Sequence, residues 1–317
     1  MATKDASIVQ LAAPREAQQA GGMSTRGPLS DWLAEAWAEE ASVGAVEVEG
    51  ATVRYRGWGL DHADRPGLVL VHGFLAHARW WDHIGPRLAD RYRVIAPDFT
   101  GMGDSDRRPQ YCRRQYGREL IAAARHADLD RAIVVAHSFG AVSSLYAARI
   151  AAKLVERVVV IDANVFRREE ADTAVPVQPE KHYPSFEAAL ARYRLMPPGA
   201  GPDPNILDYI ARHSIRETER GWSWKFDPET FRSVHREKIR DELRGLVHPV
   251  DFIHAGHSEV VGKEELANFL VAMPGCGWPV TVPLSHHHIM IEQPIGLLAA
   301  IDGLLAHARL PIEPGEQ

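Results

Sequence analysis

The chain has 317 residues, and its 36 Lys and Arg against 42 Asp and Glu leave a formal charge of −6. Its 45 % hydrophobic and 25 % charged residues exclude a disordered chain, and its length suits one large α/β unit that buries a core unaided. The mild acidity excludes nucleic acid as the main partner, because phosphate binding needs a basic surface. No apolar run approaches the roughly 18 residues that span a membrane, and two distant cysteines, Cys112 and Cys276, make neither a disulfide framework nor a Cys-rich zinc site.

Residues 1–28, rich in Ala, Gln, Gly and Ser, read as a mobile tail. No apolar stretch follows Met1-Ala2-Thr3-Lys4-Asp5, which speaks against a secretory signal and for a cytoplasmic protein. A helix is predicted to start at Ser30-Asp31, with Trp32, Leu33, Ala36 and Trp37 on its apolar face. Residues 45–49 and 52–58 alternate as an antiparallel pair joined at Gly50. Short, continuously apolar runs then appear at 68–71, 93–96, 132–136, 157–161 and 250–253, separated in several places by helix-length segments at 80–89, 116–127 and 141–151. Strands without alternation between helices predict a mostly parallel sheet covered on both faces, with ligands at the carboxyl ends of its strands. The rhythm breaks over 165–246, a segment rich in Arg, Pro and aromatics with helical spacing at 186–194 and 206–220. It reads as a helical lid inserted into a core made of residues 29–164 and 247–317. Its aromatics, Trp222, Trp224 and Phe226 among them, suit either a substrate pocket or packing of the lid. Trp80-Trp81 read as an anchor for their helix, and the runs Arg113-Arg114 and Arg167-Arg168 as solvated surface.

The sharpest local signal is Ala136-His137-Ser138-Phe139-Gly140-Ala141, directly after a predicted strand. A Ser between strand and helix, with small residues two before and two after, is the pattern of a nucleophile elbow. Val71-His72-Gly73-Phe74 follows another strand, and Pro97-Asp98-Phe99-Thr100-Gly101-Met102-Gly103-Asp104-Ser105-Asp106 follows a third. Near the end stands Leu284-Ser285-His286-His287-His288-Ile289-Met290-Ile291-Glu292-Gln293-Pro294. Together these motifs resemble the α/β-hydrolase superfamily, in particular its lidded serine esterases, over about residues 45–306 outside the lid. Ala136 departs from the usual glycine.

That resemblance implies Ser138 as nucleophile and His287, five residues before Glu292, as its base. The backbone amides of Phe74 and Phe139 are implied as oxyanion donors. Asp98 and its glycines imply a structural turn. For the acid, a slot after strand 250–253 offers Glu259, or Ser258 in the neighbouring register, and Ser cannot carry charge. The favoured alternative is Asp162, 24 residues after Ser138, as in esterases that take their acid from the earlier strand end. His286 and His288 read as ordinary structural histidines rather than metal ligands. The implied activity is hydrolysis of small to medium carboxylic esters through an acyl-enzyme, with a small-molecule acyl substrate and no metal or organic cofactor. Carbon–carbon bond hydrolases, lactonases and perhydrolases share the same site and stand as alternatives, as does a non-catalytic ligand-binding member.

Overall fold

In the computed structural model, residues 28–166, 179–199, 201–233 and 239–307 are described; residues 1–27 of the expected tail and Arg167-Arg168 lie outside them. Helix α1 (Asp31–Ala38) buries Leu33 and Ala36 and leads into β1 (Ser42–Val48) and β2 (Ala51–Trp58). Their turn at Glu49-Gly50 has positive φ at both residues, 50° and 76°, which favours the glycine. Then follow β3 (Gly67–Val71), a short 3₁₀ turn at Ala78–Trp81, α2 (Gly85–Ala89), β4 (Arg93–Pro97), α3 (Arg113–His126), β5 (Ala132–His137), α4 (Gly140–Ile150) and β6 (Val155–Ile161). The segment after β6 holds α5 (Phe186–Leu190), α6 (Pro204–His213), β7 (Ile215–Thr218), β8 (Gly221–Trp224), α7 (Thr230–Ser233) and α8 (Arg240–Leu243). The chain ends with β9 (Val250–Ala255), α9 (Lys263–Ala272), β10 (Val280–Val282), α10 (Ile289–Glu292) and α11 (Pro294–His307).

Eight strands form one sheet in the order β1-β2-β4-β3-β5-β6-β9-β10, in which only β2 runs against its neighbours. The apolar strands explain themselves by what covers them. Val69, Val71, Val134, Ala136, Val158 and Val160 face one core with α3, α4 and Phe269 of α9. Leu68, Leu70, Val135, Val159 and Ile161 face the other, with Trp81, Leu88, Leu297 and Ile301. Both faces are dry, so neither parity of residue is polar. The architecture is the α/β fold expected from the sequence.

Register places the strand ends. Val71 pairs with Ala136, His137 with Ile161, and Ile161 with Ile253, so β3, β5, β6 and β9 finish side by side. Val282 of β10 pairs with Ala255. The loops bearing Phe74, Ser138, Asp162, Ser258 and His287 therefore all leave one rim.

The insertion differs from its predicted form. The helix expected over 206–220 stops at His213, and the chain turns into the β7–β8 hairpin, in which Ile215 pairs with Trp224. This hairpin is only half-buried and carries no continuous apolar run, so it left no buried-strand signature. Trp222 packs edge-on to Phe186 and Trp224 to Tyr183, so both serve packing within the insertion. Polar contacts hold the insertion to the core: Tyr209 hydroxyl donates to Asp82 at 2.5 Å, and Glu180 accepts from Arg107 at 2.7 Å, with Arg216 of the insertion itself also donating to Glu180 at 3.0 Å.

Candidate active site

Ser138 sits in the turn between β5 and α4 with φ 51°, a left-handed conformation unusual for a residue with a side chain. The turn is tight for a concrete reason. A Cβ at Gly140 would come within 2.7 Å of both the His72 carbonyl and Val71 Cγ1, so that position requires glycine, while Ala136 fits fully buried inside β5. Asp162 follows β6 with φ 43° and is fully buried. Leu75 and Leu284 have positive φ as well, at the starts of the loops that carry the other groups of the rim.

The three polar side chains meet. His287 Nε2 lies 2.9 Å from Ser138 Oγ, and its Nδ1 lies 2.8 Å from Asp162 Oδ2. This pattern fixes the tautomer: Nδ1–H donates to the carboxylate, and Nε2 accepts the hydroxyl proton. A buried carboxylate needs partners. Asp162 has two more, accepting from the Ala255 amide at 3.1 Å and the Ser258 hydroxyl at 2.7 Å. Glu259 is exposed and stands 3.9 Å from His286, not beside His287. Ser258, in the later acid slot, thus supports the carboxylate from the earlier strand end.

Three other imidazoles hold the loop of His287: His137 and His83, to which sequence reasoning gave no role, and His288, which it read as structural. His137 Nε2–H donates to the His287 carbonyl at 2.9 Å, and His83 Nε2–H to the Met290 carbonyl at 2.7 Å. His288 Nε2–H donates to the Pro197 carbonyl of the insertion at 3.1 Å. Burial pushes all three pKa values down, to about 4 for His83, about 3 for His288 and well below the ordinary value for His137. The signal for His137 was its place on the last residue of a buried strand, next to the Ser. His286 turns instead to Glu292, at 3.4 Å. The three consecutive histidines thus point to three different partners.

The loop after β3 presses on the same spot. A Cβ at Gly73 would lie 2.8 Å from His137 Nδ1 and 3.5 Å from Ser138 Cβ. His72 pins this loop: its Nε2 accepts from the Phe99 amide at 3.1 Å, so Nδ1–H donates to the Gly73 carbonyl at 2.8 Å. Burial lowers the His72 pKa to about 4 and keeps it neutral in this role. Phe139 is the N-cap of α4, where helix amides present partial positive charge. Asp98 accepts from the amides of Ala78 at 2.6 Å and Asp104 at 2.9 Å, and Gly103 leaves room for its carboxyl, which makes it a brace of the turn. Arg113 corrects the sequence reading: it is only 6 % exposed, with its guanidinium 4.7 Å from the centroid of the Phe139 ring. Its aromatic partner stands 26 residues further along the chain, so the run Arg113-Arg114 gave no local sign of that role.

Residues 68–301 match the alpha/beta hydrolase family. The chain belongs to that family. This hydrolase is 27 % identical over 197 residues to an uncharacterized hydrolase of Bacillus subtilis, covering 60 % of this chain and 68 % of the other. It is 31 % identical over 250 residues to the 2-(acetamidomethylene)succinate hydrolase of Mesorhizobium japonicum, covering 76 % and 88 % of the two chains. In fold it resembles an esterase of Mycobacterium tuberculosis with a TM-score of 0.67 at 21 % identity, over 87 % of this chain and 97 % of the other. Among the described residues no helix is long and apolar enough to cross a membrane.

Proposed function

We propose that this hydrolase cleaves small to medium carboxylic esters through an acyl-enzyme on Ser138. The observation that carries this reading is the unbroken chain of hydrogen bonds from Ser138 Oγ through His287 to Asp162, at 2.9 and 2.8 Å. His287 takes the hydroxyl proton as Ser138 attacks the carbonyl carbon, then returns it to the leaving alcohol. Asp162 holds the imidazole in the productive tautomer and stabilises the imidazolium. The Phe74 and Phe139 amides receive the oxyanion, each such donor being worth about 10²–10³ in rate. A water deprotonated by His287 then releases the carboxylic acid and regenerates the hydroxyl. The insertion between β6 and β9 acts as a lid, with His288 linking it to the loop of the base. A second reading, favoured by the similarity to 2-(acetamidomethylene)succinate hydrolase, is cleavage of a small dicarboxylic acid derivative by the same groups.

A fluorophosphonate probe tests the reading: it should label the wild type and fail to label Ser138→Ala, with p-nitrophenyl acetate cleaved only by the former. Labelling that survives the substitution would place the nucleophile elsewhere.

A further inference from the structure

Four phenylalanines form a continuous wall beginning next to Ser138. Phe139 follows the serine in sequence, and Phe74 is carried by the loop that presses on it. Their ring centroids are 5.1 Å apart. Phe231 of the insertion meets Phe74 edge-on at 5.0 Å, and Phe226 lies 6.1 Å from Phe231. All four are half-buried. Behind Phe139 stand the fully buried Tyr116, edge-on at 5.7 Å, and the guanidinium of Arg113, which fix the ring in place. The rings that pack the insertion itself are a separate cluster around Trp222 and Trp224, whereas Phe226 packs with Phe74 and Phe139 against the core on the side of α3 and α4.

We infer that Phe74, Phe139, Phe226 and Phe231 form the acyl-group subsite of this hydrolase, that it takes an uncharged alkyl or aryl acyl chain, and that Phe231 sets this preference. The inference rests on Ser138 being the nucleophile. Aromatic faces carry the negative side of the ring quadrupole, so a carboxylate laid against them loses hydration and meets repulsion. The cations flanking Phe226 are committed elsewhere: Lys225 lies 2.5 Å from Asp104, and Arg107 lies 2.7 Å from Glu180 and 3.2 Å from the Phe226 carbonyl. An apolar chain gains instead, at about fourfold per buried methylene.

The test compares p-nitrophenyl esters. In the wild type, kcat/KM should rise by about tenfold or more from acetate to hexanoate, and the hemisuccinate should fall about tenfold or more below the pentanoate. Phe231→Ala should cut the hexanoate-to-acetate ratio several-fold, and Phe231→Arg should raise hemisuccinate relative to pentanoate; Phe226→Ala repeats the first test should Phe231→Ala prove unstable. In the Ser138→Ala background, calorimetry should find hexanamide bound about tenfold more tightly than succinamate, a difference that Phe231→Ala removes. Succinamate bound equally well, or ratios that no ring variant moves, overturns the subsite. The binding arm needs no turnover, so a persistent hexanamide preference without Ser138 labelling would refute the nucleophile, and with it the acyl-group role, while leaving an apolar binding site at these rings.

Discussion

At the scale of single residues, the site stands on conformations that side chains ordinarily avoid. Among the described residues six non-glycines have positive φ, and four of them, Leu75, Ser138, Asp162 and Leu284, border the proposed reacting centre. Such backbone costs of order 1–3 kcal/mol each and persists only where surrounding contacts over-determine it. For Asp162 those contacts are the Ala255 amide, the Ser258 hydroxyl and His287. Asp162→Asn should therefore lower kcat by roughly 10³–10⁴, as loss of the tautomer-setting carboxylate does elsewhere, while Glu259→Gln should stay within about twofold because its carboxyl is exposed. Steady-state ester hydrolysis checks both; the reverse outcome would return the acid to the later slot. His137 acts through another residue, by holding the His287 carbonyl. A small misplacement of a base costs up to about 10² in rate, so His137→Phe should lower kcat by about one to two orders of magnitude with KM little changed. His137→Asn, which keeps an N–H donor, should recover part of the loss, and if both variants match the wild type the clamp is irrelevant to turnover.

Secondary-structure elements contribute by how closely they approach one another. The junction of β5 and α4 lets no Cβ in at Gly140, because the nearest atoms include the His72 backbone carbonyl, which cannot rotate aside. Gly140→Ala should destabilise the protein by about 1–3 kcal/mol through overpacking, and should depress activity beyond that by shifting the amide of Phe139. Thermal unfolding together with the fluorophosphonate labelling rate separates the two effects. The central strands β3, β4, β5, β6 and β9 were legible from their sequence because each is a short apolar run buried on both faces, and the β1–β2 pair from its alternation. The insertion was not. Its helix α6 runs straight into a hairpin whose residues alternate only partly, and periodicity over 206–220 cannot register a turn at Ser214 that is held by His77 Nε2 at 2.9 Å from a different part of the chain. Strand β10, three residues long, is defined by pairing with β9 rather than by its own composition.

For the molecule as a whole, the buried histidines set an acid limit. His72, His77, His83, His137 and His288 are all buried, and burial lowers the pKa of each below the ordinary imidazole value. Groups with depressed folded values stay neutral in the native state while the unfolded chain takes up protons. Their contribution to stability is whole above about pH 6.5 and lost as pH falls from there toward 4. Two carboxyls oppose this: burial raises Asp98 to about 6 and Glu119 to about 7, so their contribution is lost as pH rises through those values. Five imidazoles outweigh two carboxyls, so the unfolded chain holds more protons than the native state near pH 5. The thermal midpoint should therefore climb steadily between pH 4 and pH 6.5, which calorimetry across that range checks; a flat profile would mean that the unfolded chain takes up no such excess of protons.

The sequence by itself determined the parallel sheet, the elbow at Ser138 and the family resemblance, because each is written in neighbouring residues: a buried strand, a small residue at a tight turn, a histidine spaced from an acidic residue and a proline. It also held Asp162 and Glu259 open as acids, since both stand at strand ends. Only the tertiary structure brought Asp162 against His287 and left Glu259 in solvent. It likewise turned His137, His83 and Ser258 into supports and carried Arg113 under Phe139. Those outcomes depend on the register of β6 against β9 and on loops approaching from distant parts of the chain, and through-space distance between such segments has no local trace in the order of residues.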